Sequence, residues 1–311
     1  MKHSWQHQYV EANGLRVHYV AQGAGPLLLL LHGFPEFWYS WRFQIPGLAR
    51  HFRVVAPDLR GYNETDKPEG IEAYRISVIV KDVLALIRAL GETRAVVCGH
   101  DWGGVVAWRL AIHYPEAVER LVVLNAPHPL KFLEAFRKGH LPQLRRSWYM
   151  FLFQLPGVAE RLLEADRFRL LWDLTFGGWG SRRPVNARDL EAYIEAMARP
   201  GALTAALNWY RVQFARIDLV SLTPSAFPKI QAPTLMIWGE KDGALGKELA
   251  KGTAKYIAGR FRRVYLPHAG HFVHQESPAE VTALILDFLG DLIPKSRRRR
   301  AASASKKRRG R

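Results

Sequence analysis

The sequence predicts an α/β fold: a mostly parallel sheet with helices on both faces and an inserted helical cap. Short apolar runs that suit buried strands alternate with segments of helical periodicity; they fall at residues 27–31, 52–56, 95–98, 120–124, 234–238 and 263–266. This alternation is typical of parallel sheets, because each helix returns the chain to the start of the next strand. Between about Pro127 and Pro228 the strand signal gives way to a helical pattern rich in aromatic residues and arginine. We therefore expect the core in residues 1–127 and 229–294, and the cap in residues 128–228.

Turn and helix signals predict the other elements. Asn13-Gly14 separates two runs of alternating polarity, which indicates a hairpin near the N-terminus. Helical spacing of apolar residues indicates further helices in the core, one of which Gly91 ends and another of which Ser277 begins. These helices are predicted at residues 76–90, 249–256 and 277–292.

Charge is concentrated at the C-terminus. The chain has 311 residues and a net charge of +17, and ten of its Lys and Arg residues lie in residues 295–311, which contain no acidic residue. Because this tail also lacks any apolar residue larger than alanine, we expect it to be disordered. A solvated appendage is favoured over contact with nucleic acid or an anionic surface.

Other classes of protein are disfavoured by composition. No apolar run is long enough to span a membrane, and the N-terminus has no apolar signal region. Cys98 is the single cysteine, so an internal disulfide is excluded and a cytoplasmic protein is expected. We expect no cofactor and no metal, and the sequence leaves monomer and homodimer open.

A strand-to-helix turn at Gly99-His100-Asp101-Trp102-Gly103 carries the main chemical signal. Two glycines flank Asp101 with the spacing of a nucleophile elbow, G-x-S-x-G, in which aspartate replaces serine. The glycines suit a tight turn and a close approach of backbones, and the N-terminus of the following helix favours an anion. We therefore predict that Asp101 is a nucleophile.

A carboxylate nucleophile restricts the reaction. It attacks an sp3 carbon, so the carbonyl group of the resulting ester belongs to the enzyme and water must then attack Asp101 itself. The electrophile is accordingly an alkyl carbon with a leaving group, such as an epoxide or a haloalkane, rather than an ester or amide.

The partners of Asp101 are predicted from chain order. Asp242 and His271 each follow a later strand, in the order nucleophile, acid, histidine. His271 would take a proton from water, while Asp242 would fix its tautomer and stabilise its charge. His268 and His274 compete with His271, and Glu240 competes with Asp242.

Over about residues 8–292 the chain resembles the epoxide hydrolases of the α/β-hydrolase fold. Residues 32–42 resemble the HGFPESWYSWR block of that family, and residues 99–104 match its GHDWGG elbow. Two cap segments match as well: Tyr149 precedes residues 153–160, and Tyr210 lies in residues 207–211. Asn63, where the family often has glycine, and Phe37, where the block has serine, depart from the pattern.

The resemblance implies roles for individual residues. Tyr149 and Tyr210 would hold the epoxide oxygen, and a phenol with a pKa near 10 can donate a proton to the opening ring. The backbone N–H groups of Phe34 and Trp102 would form an oxyanion hole for hydrolysis of the Asp101 ester. The substrate pocket would be lined by Pro35, Phe37, Trp38 and His100. The partners would be a small apolar epoxide and water.

Two other functions compete with epoxide hydrolysis. A haloalkane or haloacid dehalogenase shares the fold and the aspartate, and the Trp102 indole could bind halide. Phe34, however, offers no second side-chain donor, Trp102 stands where haloacid enzymes place arginine, and Asn125 where many dehalogenases place an acid. A ligand-binding protein without activity is the other alternative, against which the intact Asp101, Asp242 and His271 argue.

Overall fold

The computed structural model describes residues 5–181, 185–215 and 227–293. The predicted basic tail, residues 295–311, lies outside them. The described strands are β1 (Gln6–Ala12), β2 (Leu15–Gln22), β3 (Leu27–Leu31), β4 (Arg53–Pro57), β5 (Ala95–His100), β6 (Val118–Leu124), β7 (Thr234–Gly239) and β8 (Phe261–Leu266). The described α-helices are α1 (Ile45–Leu48), α2 (Ile76–Ala89), α3 (Trp102–His113), α4 (Pro129–Arg137), α5 (Leu141–Arg146), α6 (Tyr149–Phe153), α7 (Val158–Leu174), α8 (Ala187–Met197), α9 (Ala202–Ala215), α10 (Val273–Glu276) and α11 (Pro278–Phe288).

The strands form one sheet in the order β1-β2-β4-β3-β5-β6-β7-β8. The N-terminal strands β1 and β2 pair antiparallel, as do β2 and β4, and every pair from β4 to β8 is parallel. Asn13 and Gly14, at φ of 54° and 69°, make the predicted hairpin turn. The expected mostly parallel sheet is confirmed.

Apolar sequence explains the centre of the sheet. Every residue of β3, β5 and β7 is buried, which matches their continuous apolar runs. Helix α3 packs against β5 and β6, and α2 packs against α3. Because parallel strands end at one edge, the loops after β5, β7 and β8 meet there, and these loops carry the predicted nucleophile, acid and histidine.

Between β6 and β7 the described residues form helices, α4 to α9, which we call the cap. The segment predicted to lack strands thus shows none among its described residues. The boundaries at residues 128 and 228 stay predictions. None of the helices within the described ranges is long and apolar enough to cross a membrane.

One helix prediction is wrong. Residues 249–256 do not form a continuous helix but belong to two short 3₁₀ turns, Lys247–Ala250 and Thr253–Tyr256. Gly252 separates the turns at φ of 75°, a left-handed conformation that interrupts a helix. The last predicted helix is also shorter than expected: α11 ends at Phe288, and a 3₁₀ turn, Gly290–Leu292, follows it.

Candidate active site

The elbow is a tight turn that needs glycine on each side of Asp101, at Gly99 and Gly103. A Cβ atom at Gly99 would lie 2.2 Å from the Gly103 carbonyl oxygen, and one at Gly103 would lie 2.2 Å from that of Leu31. Asp101 itself adopts φ of 49° and ψ of −119°, a conformation that costs free energy for a residue with a side chain. The turn therefore holds the Asp101 carboxylate at the N-terminus of α3, where its side chain remains 15% exposed.

The Asp101 carboxylate contacts two groups of the core. Its Oδ1 accepts a hydrogen bond of 2.8 Å from the backbone N–H of Phe34, one of the two predicted oxyanion donors. Its Oδ2 lies 3.5 Å from Nε2 of His271. This second separation is longer than a good hydrogen bond, so the contact is an ion pair rather than a direct proton bridge. Trp102, the other predicted donor, is the first residue of α3.

The acid and the histidine are joined in a buried pair. Nδ1 of His271 lies 2.8 Å from Oδ2 of Asp242, and both side chains are inaccessible to solvent. The competing residues lie elsewhere: Glu240 pairs with Lys247, and His268 pairs with Glu280. The structure therefore brings Asp242 and His271, and not those rivals, to Asp101.

Asp242 is fixed by three further hydrogen bonds. Its Oδ1 accepts from the backbone N–H groups of Ala244 and Leu245, each at 2.8 Å. Its Oδ2 also accepts from the amide of Asn125 at 2.7 Å, and the amide oxygen of Asn125 accepts from the Gly239 N–H at 3.0 Å. Asn125 thus orients the acid. Sequence reasoning missed this role, although the position of Asn125 directly after β6 at the same sheet edge was a usable signal.

Neighbouring carboxylates determine the charge of His271. Burial alone would lower its pKa, but the charges of Asp242 and Asp101, together with the hydrogen bond to Asp242, outweigh burial and raise the pKa to about 10. The two carboxylates therefore favour the protonated, imidazolium form of His271.

Tyr149 and Tyr210 lie on the cap helices α6 and α9, and their rings are 6.0 Å apart. The Tyr210 ring also lies 5.1 Å from that of Trp102 and 5.2 Å from that of Phe34, directly over the elbow. Burial, with the negative charge of Asp101, raises the pKa of both phenols above the ordinary value. Both phenols therefore stay protonated and can donate.

The residues predicted to line the pocket occupy different places. Phe37 packs against Tyr193 of the cap, whereas the Trp38 ring packs against Trp5 and His7 near the N-terminus. Pro35 follows Phe34 in the same loop, through a cis peptide bond. Sequence reasoning also missed two aromatic neighbours of Tyr149, Phe153 and Trp179, with ring centroids 5.3 and 4.7 Å away.

His100, also predicted to line the pocket, is held by hydrogen bonds on both ring nitrogens. It is fully buried, with Nδ1 2.8 Å from Oε2 of Glu36 and Nε2 2.9 Å from the His271 carbonyl oxygen. Glu36 also accepts from the N–H of Gly33 at 3.2 Å and from Gln275 at 2.7 Å. Burial alone would raise the pKa of Glu36, but the nearby His100 and His274 more than offset burial. The pKa of Glu36 therefore lies well below its usual value. The network links the Phe34 loop to the His271 loop.

Among the described residues, one group could hold a metal by its composition: Glu36, His100 and His274. The separation of 2.8 Å between Glu36 and His100 is that of a charge-assisted hydrogen bond. The other ring nitrogen of His100 and the other oxygen of Glu36 are also hydrogen-bonded. Hydrogen bonds thus account for the contacts of Glu36 and His100.

Comparisons with known proteins agree with this geometry. The family model for the alpha/beta hydrolase fold matches residues 26–278. Epoxide hydrolase 4 of Homo sapiens is 42% identical over 286 residues, which cover 90% of this chain and 77% of that protein. The AB hydrolase superfamily protein YfhM of Bacillus subtilis is 42% identical over 287 residues, covering 91% and 97% of the two chains.

Solved structures give the same result. A mutant epoxide hydrolase from Bacillus megaterium, complexed with its product, a naphthyloxy-propane-1,2-diol, has a TM-score of 0.83 and 33% identity to this chain. The match covers 91% of this chain and 100% of that one. Fold and family model together define the class as the α/β-hydrolases. Within that class the chain belongs to the epoxide hydrolase family, as its sequence resemblance predicted.

Proposed function

We propose that this protein hydrolyses an apolar epoxide to a vicinal diol through a covalent ester on Asp101. The observation that carries the proposal is the placement of two protonated phenols in the cap over a carboxylate at the elbow. A carboxylate attacks carbon, and an alkoxide leaves readily only when it receives a proton. In this proposal the elbow supplies the carboxylate, and the cap supplies the proton for the alkoxide.

In the first step, Oδ2 of Asp101 attacks one epoxide carbon and the ring C–O bond on that carbon breaks. The released alkoxide takes a proton from Tyr149 or Tyr210, and the product is a hydroxyalkyl ester of Asp101. Attack through Oδ2 leaves Oδ1 as the ester carbonyl oxygen, within the hydrogen bond from the Phe34 N–H. That oxygen is therefore already placed for the second step.

In the second step, His271 takes a proton from a water molecule, which adds to the carbonyl carbon of Asp101. Negative charge develops on Oδ1 and is stabilised by the N–H of Phe34, with the predicted help of the Trp102 N–H; such a donor contributes roughly 100- to 1000-fold in rate. Collapse of the tetrahedral intermediate breaks the bond between the Asp101 carbonyl carbon and the substrate oxygen. That oxygen takes the remaining proton of the added water, so the diol leaves, Asp101 is again a carboxylate and His271 is again protonated.

The charge of Asp101 controls when His271 acts as a base. While Asp101 is ionised, its charge helps to keep the histidine protonated. Esterification removes this charge, so the pKa of His271 falls and the ring gives up its proton, which replaces the one that Tyr149 or Tyr210 gave to the alkoxide. The base is therefore released after the ester has formed and not before.

The substrate is expected to carry an aromatic or other apolar group. Phe34, Phe153, Trp179 and Tyr210 enclose Tyr149 and the elbow with ring surfaces. The Bacillus megaterium relative was solved with an aryloxy diol product. Aryl glycidyl ethers and styrene-type oxides are accordingly the first compounds to assay.

One experiment tests the proposal against its alternatives. A panel of aryl and alkyl epoxides and haloalkanes is assayed for diol and for halide, with Asp101→Ala as the inactive control. We expect diol from epoxides and no halide. Halide release without diol would instead support a dehalogenase, and binding without turnover a ligand-binding protein.

Isotope labelling tests the covalent step. In a single turnover in heavy-oxygen water, the first diol should contain no solvent oxygen, because its new oxygen comes from Asp101. Solvent oxygen in the first-turnover diol would replace the ester mechanism with direct attack by water.

A further inference from the structure

A cap segment, residues 177–181, lies between the two catalytic loops of the core. The backbone carbonyl of Trp179 accepts a hydrogen bond of 3.1 Å from the Gly243 N–H and one of 3.0 Å from the His271 N–H. Gly243 directly follows the acid Asp242. A single cap carbonyl thus joins the acid loop to the catalytic histidine.

The packing around this carbonyl leaves no space for side chains. A Cβ atom at Gly243 would lie 2.4 Å from the carbonyl oxygen of Gly178, and one at Gly270 would lie 2.3 Å from the backbone nitrogen of Ser181. Such approaches do not occur for real Cβ atoms, so both core loops need glycine where the cap segment crosses them.

Ser181 anchors the other end of the segment. Its hydroxyl donates to the His268 carbonyl oxygen at 2.8 Å, and its N–H donates to Oε2 of Glu276 at 3.0 Å. The same Glu276 oxygen accepts from the Gly270 N–H at 2.8 Å. The segment is therefore fixed to the loop that precedes His271 as well as to His271 itself.

The Trp179 side chain bridges the two halves of the site. Its ring lies 4.7 Å from that of Tyr149 in the cap and 5.4 Å from that of His271 in the core, and it is 4% exposed. The ring thus contacts both the proposed proton donor of the first step and the proposed base of the second.

We propose that Trp179 is a positioning residue that couples the seating of the cap to the alignment of His271 with Asp242 and Asp101. The inference rests on the proposed function, because it concerns the two steps assigned there. A displacement of the cap would carry the Trp179 carbonyl with it and pull on both Gly243 and His271. Since a misplacement of about 1 Å can cost roughly 100-fold in rate, efficient ester hydrolysis requires the cap to be seated.

The test uses Trp179→Leu, Trp179→Phe and a matched control, Trp172→Leu. Trp172 is also a cap tryptophan, 3% exposed, but its ring packs against Phe168, Phe176 and Tyr193 and not against the catalytic residues. Ester formation and ester hydrolysis are measured separately by single-turnover kinetics, with the Asp101 ester followed by intact-protein mass.

We expect Trp179→Leu to slow ester hydrolysis by about 10- to 100-fold, so that the ester accumulates. Trp179→Phe, which keeps a ring against Tyr149 and His271, should recover most of the rate. Trp172→Leu should lower the melting temperature about as much as Trp179→Leu while leaving ester hydrolysis within about threefold of wild type. A role in packing alone would not separate these two variants.

Two results would overturn the inference while leaving the proposed function intact: equal ester hydrolysis in the two Leu variants, or no recovery in Trp179→Phe. Absence of any ester in the wild type would contradict the proposed function instead. If Trp179→Leu does not fold, Trp179→Met replaces it, because methionine fills more of the space of the ring without being aromatic. Equal ester hydrolysis in Trp179→Met and Trp172→Leu would equally reject the coupling.

Discussion

The core holds the proposed catalytic acid with hydrogen bonds, whereas the cap holds the two proposed proton donors among aromatic rings. Asp242 accepts from Asn125, Ala244 and Leu245 in addition to its bond with His271. Tyr149 and Tyr210 instead lie among the rings of Phe153, Trp179, Trp102 and Phe34.

This difference has an energetic consequence. Removing one partner from a buried carboxylate leaves a charge unsatisfied, which costs about 1–3 kcal/mol or more. Removing a hydroxyl from a ring-packed phenol leaves the packing almost unchanged. Variants in the core should therefore lower rate and stability together, and hydroxyl variants in the cap should lower the rate alone.

The largest effect is expected for His271→Gln in the core. If His271 is the proposed base, its loss leaves the proposed Asp101 ester without hydrolysis, so steady-state turnover should fall by at least about 1000-fold. Ester formation should continue, and the enzyme should gain the mass of one substrate molecule. Asp101→Ala serves as the control that cannot form the adduct. An inactive His271→Gln that gains no mass would remove His271 from the hydrolytic step.

The cap phenols come next. Tyr149→Phe and Tyr210→Phe should each slow ester formation by about 10- to 100-fold, because one phenol partly replaces the other. The double variant should lose nearly all epoxide turnover, by more than either single change suggests, because the two act as one unit. The melting temperatures should stay near that of the wild type. A double variant that still opens epoxides at close to the wild-type rate would reduce the tyrosines to packing residues.

The sequence could predict those features of the core that depend on residues close together in the chain or on strand order. The elbow depends on Gly99 and Gly103, which are close to Asp101 in sequence, so a local pattern was enough to find it. The order of Asp242 and His271 followed from strands that end at one edge of the sheet. These predictions rested on short spacing and on the general geometry of parallel sheets.

Partners that are distant in sequence could not be predicted in this way. Asn125 meets Asp242 across 117 positions, and Trp179 meets His271 from a different part of the fold. Local periodicity also failed at residues 249–256, where the backbone conformation of Gly252 overrides the helical pattern. The ring of Trp38, predicted to line the pocket, packs against Trp5 and His7, and no local pattern in the sequence indicates these contacts.

A smaller effect is expected when the support of Asp242 is weakened. Asn125 has φ of 41°, so Asn125→Gly removes its amide without straining the backbone. We expect turnover to fall about 10- to 30-fold and the free energy of unfolding to fall by about 2 kcal/mol, because Asp242 loses a donor and the Gly239 N–H loses its acceptor. Stability is measured by urea denaturation.

Asn13→Gly is the matched control, because Asn13 also has a left-handed φ, 54°, but lies in the N-terminal hairpin. It should keep wild-type turnover. Equal activity in the two variants would show that the Asn125 amide does not orient the acid, and the contrast between core and cap would then lose one of its supports.

The smallest effect is expected from pH and also separates core from cap. His271 has a pKa raised to about 10, above the ordinary value of 6.5, so its charge stabilises the folded state fully below about pH 6.5. That contribution is lost as the pH rises toward and through 10. The phenols of Tyr149 and Tyr210, whose pKa values are raised, stay neutral at both pH 7 and pH 10. Between pH 7 and pH 10 the wild type should therefore lose more stability than His271→Gln, by a few degrees in melting temperature. If the stabilities of the two proteins fall in parallel with pH, His271 is not charged in the resting site. Esterification would then not be what converts His271 into a base.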